Sequence, residues 1–319
     1  MAEKNKKIAV IGASIIGLYA ALKLQKKGFD VSVFEKNDRV GGKLCSALIS
    51  KRIEQGLTIP QGLHEREVNN ILVHFPKQDI RVSVNPSFLQ FERRKLDEYI
   101  FNLAKEQGVK FFFNTEIKEI PQGFFKVIAC DGSLSELRKL TSKDSPSFRL
   151  GIQYFVERRG QEEQIEIWPK VFSNNEYGFL WKIPGKEFIE YGGIGQAGNV
   201  LEELINLLDR NNIVFDRSKI KSALIPQGLC FSKDNNVFLL GDSAGMTKPT
   251  TGGGVIWGMT ATNILINNFS DFKRAEKKIK RFFKPKILKG KLEVKAGYFI
   301  GEKLSLLLPK NFSIDADLF

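Results

Sequence analysis

The order of apolar and polar positions at the start of the chain changes period twice within thirty residues. A short apolar run, Ile8 to Ile11, gives way to the small-residue stretch Gly12, Ala13, Ser14, Ile15, Ile16 and Gly17. An amphipathic segment follows to about Lys27, and a second apolar run, Val31 to Phe34, ends in Glu35. This pattern predicts strand, turn, helix, strand. The glycine spacing and the acid at the tip of the second strand form the dinucleotide-binding fingerprint, with Ser14 at the middle glycine. Gly12 suits the tight turn, Gly17 lets helix and strand pack closely, and a helix N-terminus at Ala13, Ser14 and Ile16 faces a pyrophosphate. Glu35 is placed to accept hydrogen bonds from both hydroxyls of an adenosine ribose. Two glycines with flanking cations (Lys36, Gly41, Gly42, Lys43) suit further phosphate contact.

Further along, apolar residues at three- and four-residue steps predict a helix from Phe91 towards Lys110, closed by Gly108, with Arg93 near its start. Strands are expected at Val109–Phe113 and Phe124–Ala129, the latter closed by Asp131-Gly132. From Phe148 to Gln196 the chain reads as four strands, Phe148–Arg158, Gln164–Phe172, Tyr177–Ile183 and Phe188–Ile194. In the third of these Phe179, Trp181 and Ile183 share one face, either as a core stripe or as the wall of a pocket. A helix is expected over Gly198–Asn211 with Leu201, Leu204, Ile205, Leu207 and Leu208 as its stripe. The run Val237–Leu240 ends at Gly241-Asp242, a glycine-rich loop follows, and a helix runs from Val255 to Asn267. Ligands of open α/β sheets sit at the carboxyl ends of strands, where Asp242 lies. Gly252, Gly253 and Gly254 are expected to leave N–H groups free at a helix N-terminus, for a phosphate or a polarised ring oxygen.

Composition narrows the classes. Three cysteines cannot all pair within the chain, and two histidines, neither beside a cysteine, make a metal site unexpected; a reducing, cytoplasmic setting fits. The polar N-terminus does not read as a signal peptide, and no stretch approaches the ~18–20 apolar residues of a membrane span. The net charge of +13 points to an acidic partner: membrane surface, nucleic acid or anionic substrate. The 26 phenylalanines against 3 methionines suit a Phe-rich core or an apolar tunnel. Residues 271–295 carry eleven Lys and Arg against three acids, with Phe272, Ala275, Ile279, Phe282 and Phe283 on one helical face. That is a basic helix packing on the domain or lying on a membrane surface. Residues 297–308 are expected to dock on the core or on lipid.

Four features in one order, the N-terminal fingerprint with Glu35, the R-x-x-L-D pattern at Arg93, the A-x-D-G-x-x-S-x-x-R segment from Ala129 to Arg138, and Gly241-Asp242, resemble the flavoprotein class of aromatic hydroxylases, flavin halogenases and geranylgeranyl reductases. Within it, Lys43 to Ser50 is similar to the geranylgeranyl reductase segment K-x-C-S-G-L-I-S, with Ala47 in place of glycine. Residues 241–254 match that family's G-D-x-A-G-x-x-K-P-T-T-G-G-G loop, and F-x-W-x-I-P at Phe179–Pro184 lies between the reductase and tryptophan halogenase forms. The resemblance implies an α/β fold: a Rossmann-like FAD-binding domain of the glutathione-reductase/aromatic-hydroxylase type (1–145 and 225–270) carrying an inserted antiparallel substrate sheet (63–90 and 146–224) and a basic helical tail (271–319). It implies FAD held by the fingerprint, Arg93, Asp131, Gly132, Gly241, Asp242 and the triple glycine, with Cys45 near the flavin. Substrate contacts would come from Phe179, Trp181, Ile183, Pro184, Lys248, Pro249 and Thr250. The implied activity is reduction of geranylgeranyl C=C bonds on archaeal-type ether phospholipid precursors, with NADPH or ferredoxin as electron donor, peripheral contact with an anionic membrane and no nucleic acid. A flavin-dependent monooxygenase or halogenase shares every FAD motif, and a prenyl-binding carrier of the GDP-dissociation-inhibitor type shares the fold.

Overall fold

In the computed structural model, which describes residues 5–172 and 176–317, the chain builds two sheets, and loops and strands of both line a common cavity. The first is five-stranded and wholly parallel. It is built from β1 (Lys7–Ile11), β2 (Asp30–Phe34), β6 (Lys110–Phe112), β7 (Lys126–Ala129) and β13 (Val237–Leu239), in the order β13-β7-β1-β2-β6. Helices α1 (Ile15–Lys26), α2 (Arg93–Glu106), α3 (Glu136–Thr141), α5 (Val255–Ile266) and α6 (Phe272–Lys303) accompany it. The near-continuous apolar runs of β1 and β7 are what a strand covered on both faces requires. Ile8, Val10, Leu18, Tyr19, Ile100, Phe238 and Phe283 are among the residues sealed in the main core.

The second sheet is mixed and nine-stranded. It contains β3 (Leu48–Ser50), β4 (His64–Phe75), β5 (Gln78–Phe91), β8 (Ser147–Glu157), β9 (Ile165–Val171), β10 (Tyr177–Pro184), β11 (Phe188–Gly195), β12 (Lys221–Gln227) and β14 (Asn311–Asp315). Helix α4 (Ala197–Arg210) covers one face, burying Val200, Leu204, Leu207 and Leu208 against Leu180 and Tyr191. The expected stripe is shifted: Val200 joins it and Leu201 is exposed. The other face, with Phe179, Trp181, Ile183 and Ile225, looks onto the first sheet.

Three differences from the sequence reading have local causes. Phe91 ends β5 rather than beginning a helix; α2 starts at Arg93 and stops at Glu106, before Gly108 turns the chain with φ +88°. The tail expected to be helical over 271–319 is one helix only to Lys303, running through Pro285 and holding Phe272, Ala275, Ile279 and Phe283 against the core, while Phe282 stays exposed. Residues 297–303 thus belong to α6. Beyond them an unforeseen strand, β14, adds in parallel to β5.

This terminal strand is pinned by charge. Arg52 pairs with Asp315 at 2.5 Å and with Asp317 at 2.9 Å, and Lys248 Nζ donates to the Ala316 carbonyl at 2.8 Å and to Asp317 at 3.0 Å. The Arg52 hydrogen bond holds the Asp315 carboxyl below its ordinary range. Burial works to raise Asp317, but Lys248 and Arg52 outweigh it, so its carboxyl is also lowered.

Two predictions follow from this packing. A Cβ at position 17 would lie 2.0 Å from the Gly12 carbonyl oxygen, whereas at Gly42 it would meet nothing within 4 Å. Gly17→Ala should therefore lower stability by about 3 kcal/mol in urea titration, and Gly42→Ala should leave it near the parent value. Carboxylates with depressed pKa stabilise above their unfolded value and lose that contribution as pH falls through the folded one. Protection factors of residues 311–317, taken against the intrinsic exchange rate at each pH, should then be high at neutral pH and fall below about pH 4, with Arg52→Ala removing the protection at all pH values.

Candidate active site

The loop from β1 to α1 aims the first turn of α1 at the cavity. Gly12 takes φ +99°, and a Cβ there would stand 2.4 Å from the Cys130 carbonyl oxygen. Ser14 is the N-cap residue, but its hydroxyl accepts no N–H of the first turn. Asp97 of α2, almost fully buried, reaches that turn at the Ile15 backbone and pairs with Arg93, whose Nε donates to it at 2.9 Å. Burial raises the Asp97 carboxyl although Arg93 opposes it. For Arg93, burial alone would lower the guanidinium, but Asp97 and Cys45 together hold it above its ordinary value. The R-x-x-L-D pattern is thus a buried ion pair that fixes the helix N-terminus and touches Cys45.

On the other side of the turn, Glu35 Oε2 accepts from the Ala13 N–H at 2.8 Å and Oε1 accepts from Asn37. Asp242, at the tip of β13, pairs with Lys43 at 2.6 Å. Its loop is tied to the one after β7 by Arg138, which donates to the Ser243 carbonyl at 3.0 Å and to the Ser133 carbonyl at 2.6 Å. This buried arginine is a positioning residue that the sequence reading quoted within a motif but gave no role. Asp131 Oδ2 accepts from the Leu137 N–H at the start of α3, Oδ1 is buried with no partner among the described residues, and burial raises the carboxyl.

These elements bound one cavity of about 280 Å³. Ser14, Ile16, Lys43, Cys45, Arg93, Asp242 and Gly252–Gly254 line its floor. Phe179, Trp181 and Ile183 line its roof with Ile71, Phe88, Ile167 and Ile225. Lys248 lines it too, with its ammonium engaged by the C-terminal segment; burial lowers its pKa and Asp317 opposes the shift. Glu35, Lys36, Gly41, Gly42, Asp131, Gly132 and Gly241 stand outside the cavity wall. So do Pro184, whose carbonyl accepts from Arg66 and Gln90, Pro249, which lies under Gly290 of α6, and Thr250.

The glycine loop needs one correction. Two of its amides are not free: Gly252 donates to the Lys248 carbonyl at 3.0 Å and Gly253 to Thr251 Oγ1 at 3.3 Å, because the turn closes on itself before α5 begins. The residues nevertheless suit a flavin dinucleotide. Gly12 and Gly17 bring the β1 tip, the β7 tip and the first turn of α1 into backbone contact that no side chain would allow, the Ser14 hydroxyl caps no N–H of that turn, and the buried Asp131 Oδ1 has no partner among the described residues. Among the described residues, no group of three or more His, Cys, Asp or Glu side chains could hold a metal.

Comparison with known proteins agrees with this geometry. Residues 10–66 match the model of the NAD(P)-binding Rossmann-like domain. An uncharacterized protein of Methanosarcina barkeri is 22% identical over 342 residues, covering 98% of this chain and 87% of its own length. Among solved structures, a geranylgeranyl bacteriochlorophyll reductase-like protein from Thermoplasma acidophilum superimposes with a TM-score of 0.72 at 17% identity, covering 96% of this chain and 89% of its own. The flavin-dependent brominase Bmp2 reaches 0.73 at 13% identity, covering 93% and 89%. The chain has the fold of flavin-dependent reductases, halogenases and oxygenases.

Proposed function

We propose that the chain binds FAD along the α1 turn and the Asp242 loop and reduces C=C bonds of geranylgeranyl chains, on archaeal-type ether phospholipid precursors. The observation that carries this reading is the contrast between the two cavity walls: a floor of glycine, Arg93, Lys43 and Asp242 faces a roof of Ile71, Phe88, Ile167, Phe179, Trp181 and Ile183. Bound FAD supplies hydride chemistry, charged from NADPH or a ferredoxin. The chain's own part is orientation and exclusion of water. An isolated alkene stabilises little charge, so the apolar roof must hold it in one geometry against the floor. Cys45, which lines the floor and touches Arg93, is the residue we place beside the flavin.

Anaerobic reduction of the FAD-loaded protein with dithionite, followed by geranylgeranyl lipid, tests this. The yellow absorption should bleach, return on lipid addition, and the lipid should gain mass in steps of two hydrogens. Bound flavin with untouched lipid sinks the reductase reading and favours the monooxygenase or halogenase one, to which the brominase likeness belongs. A protein that stays colourless with added FAD favours the prenyl-binding carrier.

The membrane-surface reading rests on the outer face of α6. Beyond Pro285, Leu288, Leu292 and Phe299 are each more than half exposed, as are Leu306 and Leu307 just after the helix, and Lys284, Lys291 and Lys295 flank them. Apolar tips among cations suit an anionic bilayer surface; among the described residues no helix is long and apolar enough to cross a membrane. The protein should sediment with phosphatidylcholine vesicles containing phosphatidylglycerol but not with phosphatidylcholine alone, and Leu292→Glu with Phe299→Glu should abolish it. Equal sedimentation with both vesicle types would rule the surface out.

A further inference from the structure

The apolar roof of the cavity contains a polar device that the proposed chemistry does not use. Gln153 of β8 is 3% exposed and lines the cavity. Across the sheet it lies in one row with Gly192 and Trp181. A Cβ at Gly192 would stand 2.4 Å from the indole, so the glycine makes room for Trp181 to lean over it. Glu190, two residues along β11 on the same face, receives both neighbours on one oxygen: Gln153 Nε2 donates to Oε1 at 2.5 Å and Trp181 Nε1 at 2.7 Å. The amide's other end, Gln153 Oε1, is buried with no partner among the described residues.

This orientation is fixed. Burial pushes the Glu190 carboxyl up to about 7, but in either protonation state the oxygen that takes two N–H donors carries no proton. A flipped amide would set its own oxygen against that acceptor. A bare buried acceptor is destabilising, and three buried polar side chains in an apolar wall are an arrangement that leucine would relieve. They are explained if the bare oxygen has a partner on the ligand.

We propose that Gln153 is the specificity-determining residue of the cavity, offering its amide oxygen to a hydroxyl on the substrate, with Trp181 and Glu190 as its positioning residues. This rests on the isoprenoid reading for the rest of the ligand and, in place of an ether-linked chain, takes the substrate to be a prenyl chain that bears a free hydroxyl.

Calorimetric titration of the FAD-loaded protein with geranylgeraniol and with its methyl ether separates the two ideas. The alcohol should bind about tenfold more tightly, as one hydrogen bond implies. Gln153→Leu and Gln153→Met should each weaken the alcohol to the level of the ether. Glu190→Gln, which keeps an acceptor for both N–H groups, should retain the preference. Equal affinity for the two ligands in the parent protein, or a preference that survives both Gln153 variants, overturns the proposal and leaves the isoprenoid reading standing. If neither ligand binds, the isoprenoid reading falls, and phenol against anisole decides the subsite. A phenol preference lost on Gln153→Leu sustains it; equal binding or none overturns it.

Discussion

The contact between Gly17 and the Gly12 carbonyl sets the direction in which α1 leaves the parallel sheet, and the cavity is arranged around that direction. No side chain fits at either position, so the helix begins pressed against the strand tips. Its first turn then lies where the charged groups of four separate segments converge: Glu35 after β2, Lys43 beyond it, the Arg93–Asp97 pair of α2 and Asp242 after β13. The N-terminus of a helix favours anions. The chain itself places two carboxylates there, Asp97 at Ile15 and Glu35 at Ala13.

The charges around this turn are nearly all paired, which keeps a crowded floor from costing stability. Asp97 and Arg93 are both deeply buried, and either alone would be an expensive uncompensated charge. Arg138 performs a related service with neutral partners. By donating to carbonyls on the loops after β7 and β13, it locks Asp242 to the sheet rather than leaving it on a free turn. The roof is built on the opposite principle, from apolar side chains of crossing strands, so the two walls impose different solvents on the two ends of whatever lies between them.

Local signals carried much of this. The first βαβ unit was readable because turn, helix face and acid lie within thirty residues. Glycine spacing states a backbone requirement directly, as the φ of +99° at Gly12 shows. Four strands of the roof, β8 to β11, were readable as β-rich runs between turn residues, whereas β4, β5 and β12, which supply Ile71, Phe88 and Ile225, were not. The register of those four was not readable either, and register alone brings Gln153, Trp181 and Glu190 to one oxygen. The closed hydrogen bonds of the Gly252–Gly253 turn escaped for a related reason: glycine reports freedom of the backbone but not which carbonyl its amide will meet. β14 was invisible because its five residues, Asn311–Asp315, are half polar and mostly exposed. They become a strand by adding to an edge more than two hundred residues earlier in the chain. Lys248 shows the same limit, since its position in the cavity wall followed from the loop motif while its partner, Asp317, came from that unforeseen segment.

That last pairing bears on whether the cavity could take the proposed ligand. Its volume of about 280 Å³ falls at or below the lower end of the ~300–1,000 Å³ usual for ligand pockets, too little for a flavin ring and an isoprenoid chain together. Ala316 and Asp317 form part of the wall, and they are held by ion pairs to Arg52 and Lys248 and by one edge strand, with Ile314 as its apolar contact to the roof cluster and Ala316 buried beside it. The parallel sheet and the α4-backed roof are sealed by side chains with almost no exposure. Enlarging the cavity through either would break close packing, whereas withdrawing the C-terminal segment breaks contacts that water can replace at one end. Of the walls around this cavity, the terminal segment is therefore the one whose displacement costs least.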